Sequence, residues 1–125
     1  MAISEQVGNA TLETLSPNEV KERFDRNEIV LLDVRTPQEY AFEHIPGAML
    51  LPMAFFDPAK LPMQDEKPIV LHCGSGIRSR KMAEKCIAAG FDKIAHMDGG
   101  FGAWKGSGLS YVAIDPASGA CVNRN

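Results

Sequence analysis

Cys73 opens the segment Cys73-Gly74-Ser75-Gly76-Ile77-Arg78-Ser79, and its surroundings are those a nucleophilic sulfur needs. A cysteine attacks as the thiolate, whereas a free thiol ionises near ~8.5, so a working cysteine needs groups that favour its anion. Three are readable. Gly74 and Gly76 let the backbone curl until successive N–H groups converge on one point, an anion-binding nest. The helix expected from Arg78 to Ala89 aims its positive end at the loop. Arg78, Arg80, Lys81 and Lys85 add four cations to a chain whose formal net charge is -3. Cys73 is the candidate catalytic residue, and Gly74, Ser75, Gly76, Ile77, Arg78 and Ser79 are the candidate substrate-binding residues.

Spacing narrows the chemistry. Cysteine phosphatases place an arginine six positions after the cysteine; here that position is Ser79, and Arg78 comes one residue early. The shorter cradle disfavours a tetrahedral phosphate and suits a single extra sulfur atom. His72 abuts Cys73, but neighbours in a strand point to opposite faces, so the imidazole is expected to turn away from the sulfur. Activation then falls to the backbone and the helix end, with Arg78 assisting, and not to a dedicated general base. His44 and His96 are scattered relative to the cysteines and lack ligand spacing, so no metal site is expected. The three cysteines include no C-x-x-C pair, which removes zinc-ribbon and dithiol chemistry. Cys86 shares a helical face with Met82 and reads as core; Cys121 reads as an exposed bystander.

The elements that must position the loop follow from local signals. Ser16-Pro17-Asn18-Glu19 and Thr36-Pro37-Gln38-Glu39 both read as capped helix starts, each with Pro at the first helical position and Glu completing a capping box. Short branched runs at 29–32, 48–51, 69–72 and 94–97 read as strands. Pro58 and Pro62 break the stretch 53–63 into a short helical piece and loop. Gly90 stops the long helix. Asp98-Gly99-Gly100 turns into a short helix that contains Phe101 and Trp104. Strands alternating with helices imply an α/β fold with a mostly parallel central sheet and helices on both faces. Ligands of such sheets bind beyond the carboxyl ends of the strands, where Cys73 stands.

Length and composition set the outer bounds. A chain of 125 residues suits one domain. Residues 1–14 read as an N-terminal extension, 15–112 as the domain and 113–125 as a loosely held C-terminal tail. The acidic balance argues against a nucleic-acid partner, and no apolar run approaches a membrane span. Free thiols without a signal peptide point to the cytoplasm.

The sequence resembles the single-domain rhodaneses, a family of sulfurtransferases. The likeness runs in order through Leu32-Asp33-Val34-Arg35, Glu43-His44-Ile45-Pro46-Gly47-Ala48, the loop Cys73 to Ser79, and Asp98-Gly99-Gly100-Phe101 with Trp104. It implies a single rhodanese-like domain in which Cys73 becomes a persulfide. A small-molecule donor such as thiosulfate, or a protein donor, gives its outer sulfur to Cys73. A thiol or cyanide acceptor then removes it, without metal or organic cofactor. The resemblance implies that N–H groups from Gly74 to Ser79 stabilise the anionic persulfide, that Arg78 holds the loop or binds an anionic donor, and that Asp33 and Arg35 are mainly structural. Glu43 departs from the family, which more often shows Gly before the His; little effect on the chemistry is expected, with a change in a surface turn. Two other readings stand beside this one: a partner-recognition module on the same fold, and a phosphatase or arsenate reductase.

Overall fold

The computed structural model describes residues 2–125. Its central sheet has six strands. In chain order they are β1 (Ile3–Val7), β2 (Ala10–Leu15), β3 (Val30–Asp33), β5 (Met49–Leu50), β6 (Ile69–His72) and β7 (Lys93–Met97), and across the sheet they lie in the order β1-β2-β7-β6-β3-β5. Every pairing is parallel except β1 with β2. A second, antiparallel sheet joins β4 (Glu43–His44), β8 (Tyr111–Ile114) and β9 (Cys121–Arg124). The helices are α1 (Pro17–Asp25), α2 (Pro37–Phe42), α3 (Ile77–Ala88) and α4 (Gly100–Gly106), and two short 3-10 turns fill 53–60.

The strands sort their side chains by parity, because successive residues leave a strand on opposite faces. Leu12, Leu32, Ile69, Leu71, Cys73 and Ile94 bury one face against Met82, Ala83 and Cys86 of α3. Leu15, Leu31, Val70, Ala95 and Met97 bury the other against Val20 of α1 and Phe101 and Trp104 of α4. Helices therefore cover both faces, as the alternating pattern implies. Both capping boxes form: Glu19 N–H donates to Ser16 Oγ at 3.2 Å, and Glu39 N–H donates to Thr36 Oγ1 at 3.2 Å.

Two segments differ from expectation. Residues 1–14 read from the sequence as an N-terminal extension, yet β1 and β2 form a hairpin and β2 pairs with β7 from Thr11–Lys93 to Leu15–Met97. The turn at Gly8-Asn9 permits this, with Gly8 at φ +63°. The tail 113–125 is likewise a hairpin, since β9 pairs with β8 from Ile114–Cys121 to Tyr111–Arg124. Its turn is tied by Asp115, whose carboxylate accepts the Ala117 N–H and the Ser118 hydroxyl. Both outer strands are mostly exposed, so their polar sequences read as loop. Glu43 sits in β4 instead of a surface turn, and its carboxylate takes Lys105 Nζ at 2.8 Å.

Candidate active site

Cys73 follows the last residue of β6, and the loop that begins there climbs into α3. Gly76 is the N-cap of α3 at φ +100°, a left-handed conformation that L side chains rarely adopt. That turn brings the Gly76 N–H to 3.1 Å and the Ser79 N–H to 3.3 Å from Cys73 Sγ. The Ser79 hydroxyl lies 3.6 Å from the same sulfur. Burial alone pushes the thiol up. The Ser79 N–H and hydroxyl, with the N–H groups of Ser75 and Gly76, outweigh it and hold Cys73 below its ordinary value. The expected nest is present, and Ser79 is its most engaged member.

A second helix end finishes the loop from outside. Phe101 N–H donates to the Cys73 carbonyl at 2.7 Å, and Gly102 N–H to the Gly74 carbonyl at 3.1 Å. The loop's carbonyls are thus drawn toward α4 while its N–H groups face the sulfur. Gly100 permits this approach: at φ +62°, any Cβ there would lie 2.5 Å from the Cys73 oxygen and from Gly74 C.

The cations do less than their number suggests. Arg78 turns to α2, where its two terminal nitrogens meet the Glu39 carboxylate at 2.7 and 2.9 Å. That pairing holds Glu39 down to about 2, chiefly through the Arg78 hydrogen bonds. Arg80 is shared between Glu5 at 2.6 Å and Glu84 at 3.3 Å. Lys85 donates to the Phe56 carbonyl at 3.4 Å. Direct attraction of an anion to Cys73 therefore rests on the backbone more than on these side chains. Ile77 is 66 % exposed. Beside Arg78 opens an apolar cleft of about 190 Å³ lined by Val34, Thr36, Pro37, Met53 and Phe55.

His72 turns to the opposite face. Its Nδ1 lies 3.3 Å from the Cys73 carbonyl oxygen and its Nε2 is 3.6 Å from Asp33 Oδ2, beyond a good hydrogen bond. Burial lowers its basicity, so Asp33 faces a neutral ring. Asp33 is held instead by Arg35, whose Nε and second nitrogen contact it at 3.0 and 2.8 Å. Arg35 also donates to the Glu43 carbonyl at 2.7 Å and stacks over Phe101 at 4.6 Å. This buried pair braces β3 against β4 and α4 and does not reach the sulfur. His44 Nδ1 meets the Tyr40 carbonyl at 2.7 Å, and its ring stacks on Tyr40 at 4.0 Å. Trp104 is buried and donates to the Ser110 carbonyl. Among the described residues, no cluster of His, Cys, Asp and Glu is arranged to hold a metal, and no helix is long and apolar enough to cross a membrane.

His96 is the residue that sequence reasoning missed. It is not scattered from the site: its Nδ1 lies 3.0 Å from Ser79 Oγ. Parity puts Ile94 and His96 on one face of β7, but only the pairing that sets His96 across from Leu71, two residues before Cys73, turns that face to the site.

The rhodanese-like domain family matches residues 16–107. An uncharacterized protein of Synechocystis sp. is 36% identical over 99 residues, covering 79% of this chain and 55% of that protein. The chain therefore spans about half the length of that relative. The thiosulfate sulfurtransferase GlpE of Coxiella burnetii is 34% identical over 91 residues, covering 73% of this chain and 85% of that one. A rhodanese-related protein from Thermoplasma volcanium superposes with a TM-score of 0.69 at 24% identity, over 79% of this chain and 96% of its own, which supports the shared fold. The chain, whose cysteine nest follows β6 and is braced by α4, thus belongs to the rhodanese-like domain family.

Proposed function

We propose that this protein is a sulfurtransferase that carries a sulfane sulfur on Cys73. The observation that bears most weight is the pair of N–H groups, from Gly76 and Ser79, converging on a buried sulfur. The GlpE relatives, named thiosulfate sulfurtransferases, support the same reading.

In the first step the Cys73 thiolate attacks the outer sulfur of a donor such as thiosulfate. A sulfur–sulfur bond forms to Cys73 as the donor's own sulfur–sulfur bond breaks, and sulfite leaves with the electron pair. The N–H groups of the loop from Gly74 to Ser79 then stabilise the negative charge of the persulfide. In the second step a thiolate or cyanide attacks that outer sulfur, and Cys73 departs as the thiolate. One hard transfer becomes two easier ones, with ping-pong kinetics and no cofactor. Arg78 serves by locking the loop to α2 through Glu39, and the apolar cleft beside it receives the acceptor. A small or protein donor with a thiol acceptor in the cytoplasm completes the proposal.

The test is intact mass after incubation with thiosulfate, glutathione persulfide or a protein persulfide. One added sulfur mass is expected on the wild type, removed by cyanide or a thiol, and absent from Cys73→Ser. No adduct with any of these donors would sink the proposal. Phosphatase turnover that disappeared with Cys73→Ser would favour the phosphoryl-transfer reading instead.

A further inference from the structure

Behind the sulfur, on the α3 side of the sheet, three polar side chains line up where the rest of the face is apolar. Cys73 Sγ to Ser79 Oγ is 3.6 Å, Ser79 Oγ to His96 Nδ1 is 3.0 Å, and His96 Nε2 to Thr14 Oγ1 is 3.2 Å. Ser79 is fully buried and His96 is 4 % exposed, whereas Thr14, on β2, is only half-buried. The chain of contacts therefore runs from a covered sulfur toward solvent through groups that each both donate and accept.

The Ser79 hydroxyl has one proton and three acceptors in reach: the sulfur, His96 Nδ1 and the Gly76 carbonyl at 3.2 Å. Which it serves depends on the imidazole tautomer, and the tautomer depends on the bond made by the other ring nitrogen. With a proton on Nδ1, His96 donates to Ser79 Oγ, and the hydroxyl is released to donate to the sulfur. With the proton on Nε2, His96 accepts from Ser79, and the hydroxyl turns away.

We propose that Thr14, His96 and Ser79 form a proton relay serving Cys73, in which His96 is the positioning residue that sets the direction of the Ser79 hydroxyl. The proposal rests on the reading of Cys73 as a sulfur carrier. Proton balance is simple. When the thiol ionises, its proton passes to Ser79 Oγ and the hydroxyl proton of Ser79 passes to His96 Nδ1. The Nε2 proton passes to Thr14 Oγ1, and the hydroxyl proton of Thr14 passes to solvent water. One proton enters from sulfur, one leaves to water, and His96 is neutral before and after. Every hydrogen bond in the row reverses, ending with Ser79 donating to the thiolate. Reversal in the other direction reprotonates a resting Cys73.

A neutral His96 is required, and its surroundings favour one. Burial and the nearby Arg80 of α3 lower its basicity, while Asp98 after β7, Glu5 of β1 and Glu84 of α3 oppose them less strongly. Arg80 is itself paired with Glu5 and Glu84, so these charges form a closed group beside the ring.

The test is a pH titration of Cys73 thiolate absorbance, taken as the difference from Cys73→Ser and needing no sulfur donor. His96→Phe is expected to raise the titration midpoint by about one pH unit, a roughly tenfold loss of thiolate below it. Thr14→Val, nearly isosteric and remote from the loop, is expected to raise it by less. In a Ser79→Ala background, His96→Phe is expected to add no further shift. A midpoint unchanged in both single variants overturns the relay, as does an equal His96→Phe shift with and without Ser79. If His96→Phe fails to fold by circular dichroism, Thr14→Val decides alone. A wild type that shows this coupling but takes up no sulfur would leave the relay standing and refute the sulfurtransferase reading; sulfur uptake without coupling would refute the relay only.

Discussion

Cys73 precedes α3 and Cys86 lies within its last turns; both are hidden from solvent, each 0 % exposed, yet their surroundings push the two thiols in opposite directions. Cys86 lies in the last turns of α3, packed among apolar side chains, and burial pushes its thiol up to about 11, with Lys85 opposing only weakly. Cys73 lies before the first turn, and the hydrogen bonds of the loop more than offset the same burial. Covering a thiol therefore does not by itself set the direction in which its ionisation shifts. The direction of the nearby N–H groups does, and a helix supplies them at its start and withholds them at its end.

The largest expected effect tests that contrast directly. In a Cys121→Ser background at neutral pH, a small alkylating reagent should modify native Cys73 at least about a hundredfold faster than Cys86, because the thiolate fractions differ by that much. Peptide mass mapping over time gives both rates, and in denaturant the two should converge. Comparable native rates would break the comparison. A smaller effect is expected from Glu39→Gln, which leaves Arg78 without its carboxylate. Loosening of the loop should lower sulfur transfer roughly tenfold and bring the Cys73 alkylation rate toward that of an ordinary thiol. The same pair predicts acid behaviour. Glu39 sits at about 2, below its ordinary 4.5, so its contribution to stability is complete above ~4.5 and is lost as pH falls through about 2. Wild type should lose loop order across that window, whereas the Gln variant should show no such dependence there. Least affected is Cys86→Ala, which removes one buried sulfur. It should cost about 1 kcal/mol in urea unfolding and leave sulfur uptake on Cys73 unchanged.

What the sequence disclosed about the site is its local part. Two glycines, a strand end and a helix start are contiguous from Cys73 to Ser79, and nearest-neighbour physics predicts the nest from them. What stayed hidden is what the topology brings together. Glu39 announces itself as a helix cap and does form that cap; that it also clamps Arg78, 39 positions away, depends on α2 lying beside the loop. His96 becomes part of the site only because β7 pairs with β6. The fold shows the same division. The largely buried strands β3, β6 and β7 were legible, whereas β1, β2 and β9 carry polar residues and take their pairing from a neighbouring strand.

The bond from Phe101 to the Cys73 carbonyl also has a consequence in time. Synthesis from the N-terminus delivers the cysteine and its glycines well before Gly99, Gly100 and the helix behind them. Until those residues dock, nothing draws the loop's carbonyls outward, and its amides have no enforced direction. A chain stopped short of α4 thus keeps its thiol and every residue of the loop, but lacks the two bonds that hold the loop's carbonyls outward. The braced nest around the sulfur is complete only when the remainder of the domain has been made.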